Sequence, residues 1–180
     1  MLDLGVRASQ LEQLALCCRP EALPYDASAD DVLAGDPAGV VVSDGPGTAL
    51  PPAETVETLE GLLGQVPILA LGLGHVALGL ALGCEASFLR RGHHGANCPA
   101  RNVRSGEAAV TLQRHSVVLD HDSVAEAADA ELVWEHMNDG TVEGIASADG
   151  TAEGLQFIPA PAQPGLVNDH IQRFIDKITK

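Results

Sequence analysis

The stretch at residues 66–83 constrains the fold of this chain more than any other. It begins with a short apolar run, turns at Gly72 and Gly74, and continues with apolar spacing that suits a buried helix. The pattern predicts a strand, a tight turn and a helix. In α/β enzymes a nucleophile stands at such a turn, with helix amides behind it that stabilise an oxyanion. Here the turn residue is Gly72, which has no side chain.

Strand and helix signals alternate along the first 71 residues, and this alternation predicts parallel βαβ units. After residue 84 the pattern changes to short strands and turns. We therefore expect one α/β domain over residues 1–180, a three-layer sandwich with a mostly parallel central sheet and a small antiparallel extension. Predicted strands are 1–5, 17–23, 40–42, 66–71, 84–89, 109–113, 116–119, 131–137, 142–146 and 154–158; predicted helices are 8–16, a short one from Ser28, 51–63, one from about 74, and 167–178; 120–130 and 147–153 are predicted loops.

The charge balance limits the classes of partner. The chain carries 25 acidic and 10 basic residues, for a net charge of -15. This charge disfavours nucleic acid and anionic membranes and favours a basic protein surface. The apolar run after residue 66 is interrupted by glycines and is short for a bilayer, so it does not predict a transmembrane helix. The four cysteines lack CxxC spacing and no signal peptide precedes them, so we expect reduced thiols in the cytoplasm.

Several short motifs follow one another in a fixed order. They are Asp3-Leu4-Gly5-Val6-Arg7, Ser28-Ala29-Asp30-Asp31-Val32-Leu33, Ser43-Asp44-Gly45-Pro46-Gly47, Leu73-Gly74-His75, Gly92-His93-His94-Gly95-Ala96-Asn97, Gln113 with His115, Asp139-Gly140-Thr141, and Gln156 with Pro159. In that order and spacing the chain resembles the class I, or triad, glutamine amidotransferases, and within them the domain of the carbamoyl phosphate synthetase small chain. The resemblance implies the flavodoxin-like fold of that family.

The resemblance implies where a catalytic triad would lie. In the family a cysteine at the turn attacks the glutamine side-chain amide, and a later histidine and glutamate supply the base and its orienting carboxylate. These positions fall on Gly72, Ile158 and Ala160 in this chain. None of the three offers a nucleophile or a proton acceptor. We therefore predict a degenerate triad and no catalytic residues, which makes the chain a pseudoenzyme of the family and not an enzyme.

The resemblance also implies a remnant of the oxyanion and ligand pocket. The amides of Gly45 and Leu73 take the places of the family's oxyanion-hole donors, and Arg114 stands where the family has a small amide residue. Two interpretations stay open: the glycines serve only the tight turns of the fold, or the helix amino terminus still binds an anion. The implied pocket residues are Gly45, Gly47, Leu73, Gly74, His75, Val76, Arg114, His115 and Ser116.

Other side chains could supply displaced chemistry in the same crevice. The candidates are Cys98, His93, His94 and His115, with Cys84 and His121 as further possibilities. A reactive cysteine needs a lowered pKa and a positioned base, and the sequence shows neither. Adjacent histidines on an extended segment point in opposite directions, and the family's loop binds no metal. We therefore expect no metal and no cofactor.

These observations lead to one main functional prediction and two alternatives. The main prediction is a catalytically inactive, amidotransferase-like binding, regulatory or scaffolding module. Its partner would be a synthetase-type protein or a second copy of the chain. The alternatives are a hydrolase or transferase that uses Cys98 or one of the histidines His93, His94 and His115, or the amidotransferase subunit of a carbamoyl phosphate synthetase-like complex.

Overall fold

The computed structural model describes residues 1–160, 162–163 and 165–179. Its first half alternates strands and helices, as the sequence predicts. The third strand matches its predicted bounds, whereas the second is only two residues long and starts later than predicted. These elements are β1 (Leu2–Asp3), α1 (Ala8–Cys17), β2 (Leu23–Pro24), α2 (Ala29–Leu33), β3 (Val40–Val42), α3 (Ala53–Leu62), β4 (Ile68–Leu71) and α4 (Leu73–Ala81).

The second half contains two long strands that the sequence predicts only in fragments. β5 runs without a break through residues predicted as a loop, and β6 joins two predicted strands into one. A short helix, α5, lies in another predicted loop. The elements are β5 (Ala86–Asn102), β6 (Ala108–Leu119), α5 (His121–Glu126), β7 (Ala130–His136), β8 (Val142–Ser147), β9 (Ala152–Leu155) and α6 (Asp169–Ile178).

All nine strands described form one sheet in the order β2-β1-β3-β4-β9-β8-β7-β5-β6. The first five strands in this order are parallel and follow the flavodoxin arrangement. The other pairings, from β9 through β6, are antiparallel and include the longest strands. The α/β fold is thus confirmed, but the prediction of a mostly parallel sheet with a small antiparallel extension is wrong. The β5–β6 hairpin extends the antiparallel part far beyond the short strands predicted.

Helices cover both faces of the sheet, which confirms the three-layer architecture. On one face α2, α3, α4 and α5 bury side chains such as Leu59 and Leu78. On the other face α1 and α6 bury side chains such as Leu14 and Ile171. The predicted apolar stripe of the last helix is the surface that packs here. The central strands β3 and β4 are therefore buried on both sides. The carboxyl ends of the five parallel strands meet at one edge, where ligands bind in open α/β sheets.

Two helix starts illustrate how local chemistry sets these elements. Ser28 caps α2, since its hydroxyl accepts a hydrogen bond from the amide of Asp31, as the sequence predicts. Asp120 caps α5 by accepting from the amides of Asp122 and Ser123. Val124 is the buried residue of α5 and packs toward the interior. None of the helices described combines the length and hydrophobicity that a membrane span needs.

His170, near the start of α6, lies in an aromatic cluster. Its ring centroid is 5.7 Å from that of Trp134 and 5.5 Å from that of Phe157. Arg173 donates a hydrogen bond of 2.8 Å to its Nδ1, which must then be unprotonated. Burial, together with the charge of Arg173, lowers the pKa of His170 to about 4. The ring is therefore neutral at pH 7.

We expect this histidine to weaken the fold at acidic pH. Its folded-state pKa lies below the unfolded value of about 6.5, so the unfolded state binds more protons and the free energy of unfolding falls as the pH drops from 7 to 4. With these two pKa values, the loss in the free energy of unfolding at pH 4 is about 3 kcal/mol. Urea denaturation of His170→Phe between pH 4 and 7 should show a shallower dependence than the wild type. The exposed His121→Phe is the control, and parallel curves for all three proteins contradict the assignment.

Candidate functional site

The turn between β4 and α4 has the strained backbone of a nucleophile elbow. Gly72 has φ 54° and ψ -112°, a conformation that favours glycine. Its amide donates to the carbonyl of Leu155 at 2.8 Å, which ties the turn to β9, and its carbonyl accepts from the amide of His75 at 3.1 Å. The predicted strand, turn and helix are therefore confirmed. The elbow lies at the carboxyl edge of the sheet, where α/β folds place their sites.

The carboxylate of Asp44 occupies the space beside the elbow. Its Oδ1 accepts hydrogen bonds from the amides of Gly45 at 2.8 Å and Leu73 at 3.3 Å. Its Oδ2 lies 2.8 Å from both Nε and Nη2 of Arg7. A Cβ placed on Gly72 would lie 2.0 Å from Oδ1. An anion from the chain itself thus holds the two amides that the resemblance assigns to an oxyanion hole.

A narrow crevice adjoins the elbow. Its volume is about 10 Å³, which is room for about one water molecule. On one side of it the carbonyl of Arg114 lies close to Gly47, whose own carbonyl accepts from the amide of Ser116 at 2.7 Å. A larger ligand therefore requires a movement of Asp44 or of residues 114–116. The lining residues are Asp44, Gly47, Ala49, Gly72, Leu73, Val76, Arg114, His115, Val117, Gln156 and Ile158.

Most of the residues implied by the resemblance meet at this crevice. Arg114 contributes to it, but the atom that approaches Gly47 is its carbonyl oxygen, and the residue is exposed. Gly74 lies in the first turn of α4, and Ala160 is exposed outside the crevice, where its carbonyl accepts from Asn168. The implied residues that do line the crevice are Gly47, Gly72, Leu73, Val76, Arg114, His115 and Ile158.

His75 is fully buried in α4 behind the elbow. Neither ring nitrogen has a hydrogen-bond partner within the described part of the chain. Burial lowers its pKa to about 4, so the ring is neutral at pH 7. The side chain therefore belongs to the packed interior beneath the site.

A second polar group surrounds His93, which is paired with His115 across β5 and β6. The Oε1 atom of Glu143 lies 3.4 Å from His93 Nδ1 and 3.6 Å from His115 Nε2. On the other side of the ring, His93 Nε2 lies 2.9 Å from Asp139 Oδ2, and His136 stacks on His93 with the ring centroids 4.3 Å apart. Four strands and one turn thus bring five titratable side chains together.

Burial and charge set the protonation in this group. Glu143 is completely buried, which pushes its pKa up, but the nearby rings of His115 and His93 outweigh this and hold the pKa below its ordinary value. The contact with Glu143 also raises the pKa of His93. Sequence reasoning named His93 and His115 but missed Glu143, His136 and Asp139 as members of a site. A glutamate on an otherwise apolar strand was the one signal available for Glu143.

The thiol candidates lack the environment of a nucleophile. Cys98 lies on β5, partly exposed, and burial together with the charge of Glu143 raises its pKa. Burial also raises the pKa of Cys84. Both thiols therefore stay protonated near neutral pH, which argues against displaced thiolate chemistry at either position. His94, the neighbour of His93, is exposed and lies outside the buried group.

The model of the class I glutamine amidotransferase family matches residues 1–162. This chain is a member of that family. Carbamoyl phosphate synthase small chains are among its relatives: that of Methanopyrus kandleri is 42% identical over 92% of this chain, and that of Bacillus caldolyticus is 36% identical over the same share. The Bacillus cereus protein of the same name is 34% identical over 99% of this chain. The chain spans about half the length of these relatives, between 45% and 49%.

Solved structures agree with this class I amidotransferase fold. A candidate GMP synthase component from Thermoplasma acidophilum superposes with a TM-score of 0.77, covering 99% of this chain and 92% of that one at 16% identity. A glutamine amidotransferase from Methylobacillus flagellatus gives 0.66 over 96% and 86%, at 14% identity. At these identities the two structures support the fold alone.

The family relationship corrects one sequence-based prediction. The prediction that this class I amidotransferase is not an enzyme but a pseudoenzyme is contradicted, because relatives up to 42% identical bear the name of an enzyme subunit. Gly72, Ile158 and Ala160 occupy the three positions at which the resemblance implies a triad. Their identities alone do not show that the protein is inactive. What stands is a glutamine amidotransferase-like domain related to carbamoyl phosphate synthase small chains.

Proposed function

We propose that this chain is the amidotransferase-type subunit of a carbamoyl phosphate synthase-like complex, in which it binds a larger, synthetase-type chain. The observation that carries the proposal is the set of relatives from Methanopyrus and Bacillus that share one name and match 92% or more of this chain. A protein called a small chain implies a larger chain beside it.

The charge of the chain supports a protein partner with a basic docking surface. The net charge of -15 gives a field that attracts such a surface and speeds the encounter. An acidic chain of this kind therefore suits a partner whose docking surface is basic.

We expect the chain to co-purify with the large chain of a carbamoyl phosphate synthase when the two are expressed together and only the large chain carries a tag. Affinity should be micromolar or tighter, and Kd should rise with salt because screening weakens charge attraction. The control is an unrelated acidic protein of similar size and net charge. Equal retention of that control, or a self-dimer that ignores the large chain, contradicts the proposal.

A further inference from the structure

We propose that His93, His115 and Glu143 form a binding site for one divalent transition-metal ion, with Zn²⁺ as the reference ion. The three residues come from β5, β6 and β8 and offer two imidazole nitrogens and one carboxylate oxygen within 4.8 Å of one another. The inference concerns the chain by itself and goes beyond the proposed subunit role. Its test therefore needs no partner.

The potential ligand atoms are buried and lack partners. Glu143 is 0% exposed and His115 is 3% exposed. Within the described residues, both carboxylate oxygens of Glu143, Nδ1 of His93 and Nε2 of His115 have no hydrogen bond. Leaving a buried polar group unsatisfied is costly, so proteins rarely gather several in one place without a ligand. A cation between them would satisfy three of these atoms at once.

The distances between these atoms suit a shared metal ion. Oε1 of Glu143 lies 3.4 Å from Nδ1 of His93 and 3.6 Å from Nε2 of His115. Tetrahedral zinc with bonds of about 2.0–2.1 Å places its ligand atoms about 3.3 Å apart. These two separations exceed this value by only a few tenths of an ångström, and the two imidazole nitrogens lie within 4.8 Å of each other. Small side-chain movements are therefore sufficient to close the site around an ion.

The other nitrogen of each ring is already held in the way that metal-binding histidines require. Asp139 can only accept at its carboxylate, so Nε2 of His93 must donate to it, and in the neutral ring that a metal binds this leaves Nδ1 with a free lone pair. Nδ1 of His115 lies 3.2 Å from the carbonyl of Val117 and must donate as well, which leaves Nε2 free. Carboxylate and carbonyl partners of this kind fix the tautomer and raise the basicity of ligating histidines.

These contacts favour the inner set of residues over the neighbouring group of His93, His136 and Asp139. In that outer group, Nε2 of His93 is already hydrogen-bonded to Asp139, and Nδ1 of His136 accepts from the amide of Asn138 at 3.3 Å. Its atoms therefore have partners, whereas the inner atoms do not. Two histidines and one carboxylate with an open position match the ligand sets of zinc and non-haem iron sites.

The test uses the isolated chain without a polyhistidine tag, stripped with a chelator and titrated with Zn²⁺ by calorimetry and with Co²⁺ by visible absorption. We expect one equivalent to bind, with a tetrahedral cobalt spectrum and a higher Tm. Glu143→Gln and His115→Gln should abolish saturable binding. Asp139→Asn, which changes a partly exposed residue, should weaken binding by about 10- to 100-fold.

His94→Gln is the matched control, because it removes an exposed histidine adjacent to the site. It should bind like the wild type. Circular dichroism establishes that each variant is folded before titration. Absence of saturable binding to the wild type overturns the proposal, and so does unchanged binding in folded Glu143→Gln and Asp139→Asn. The subunit proposal is unaffected by either result, since co-purification is measured separately.

Discussion

We expect Gly72→Ala to lower the free energy of unfolding by about 4 kcal/mol, measured by urea denaturation. Forcing a side chain into the backbone conformation at φ 54° and ψ -112° costs about 1–3 kcal/mol. The new Cβ would also lie 2.0 Å from Oδ1 of Asp44, so this carboxylate must turn away from the amides of Gly45 and Leu73. Loss of these buried hydrogen bonds adds about 1–2 kcal/mol.

Two further variants separate backbone strain from the clash. Gly64→Ala changes a glycine at φ 73° with open space around it, so it should cost only about 1 kcal/mol. The double variant Gly72→Ala with Asp44→Ala has no clash between the new Cβ and the carboxylate. Its loss in the free energy of unfolding should be about 2 kcal/mol smaller than the sum of the losses in the two single variants. Strict additivity contradicts the view that Asp44 fills the space at the elbow. The same clash meets every residue with a Cβ at position 72, cysteine included.

Gly47→Ala is the second change with a large expected effect, a loss of about 3 kcal/mol in the free energy of unfolding. A Cβ on Gly47 would lie 2.1 Å from the carbonyl oxygen of Arg114 and 3.0 Å from Cα of His115. Because these atoms belong to the backbone, β6 must move away, and such overpacking costs about 1–3 kcal/mol. The movement also breaks the 2.7 Å hydrogen bond from Ser116 to Gly47, worth about 1 kcal/mol.

The matched control for this position is Gly35→Ala. The nearest contact of its Cβ would be the carbonyl oxygen of Val32 at 3.6 Å, an ordinary van der Waals distance. Its stability should stay within about 0.5 kcal/mol of the wild type. Faster amide hydrogen exchange at residues 114–116 in Gly47→Ala alone would locate the disruption at the crevice. Equal stability of the two variants shows that residues 114–116 do not close on Gly47.

Local sequence signals predicted much of the parallel half of the fold. The three valines at Val40–Val42 form the strand that they indicate, and Ser28 caps the helix that it precedes. The glycines at the elbow turn the chain where expected. These features depend on neighbours in the sequence, such as an apolar run, a side-chain cap or a residue that tolerates positive φ.

The antiparallel half depends on contacts that are distant in the sequence. β5 contains Gly92, Gly95 and Pro99 and is interrupted by bulges, so its composition does not indicate a strand. Its strand conformation comes from pairing with β6 and β7. The site shows the same limit, since His93 and Glu143 lie 50 positions apart and meet only when the hairpin packs near β8. Likewise, no local pattern showed that Asp44 would reach the elbow.

The claim that the chain is a subunit of a carbamoyl phosphate synthase-like complex is tested most directly by reconstitution. The purified chain is mixed with the purified large chain of a carbamoyl phosphate synthase, and the mass of the mixture is measured by light scattering. The rate of carbamoyl phosphate formation is then measured with glutamine and with ammonia. The account predicts a complex with one copy of each chain and a rate above that of the large chain alone with at least one nitrogen source. Two separate species at micromolar concentration, with unchanged rates, would contradict it.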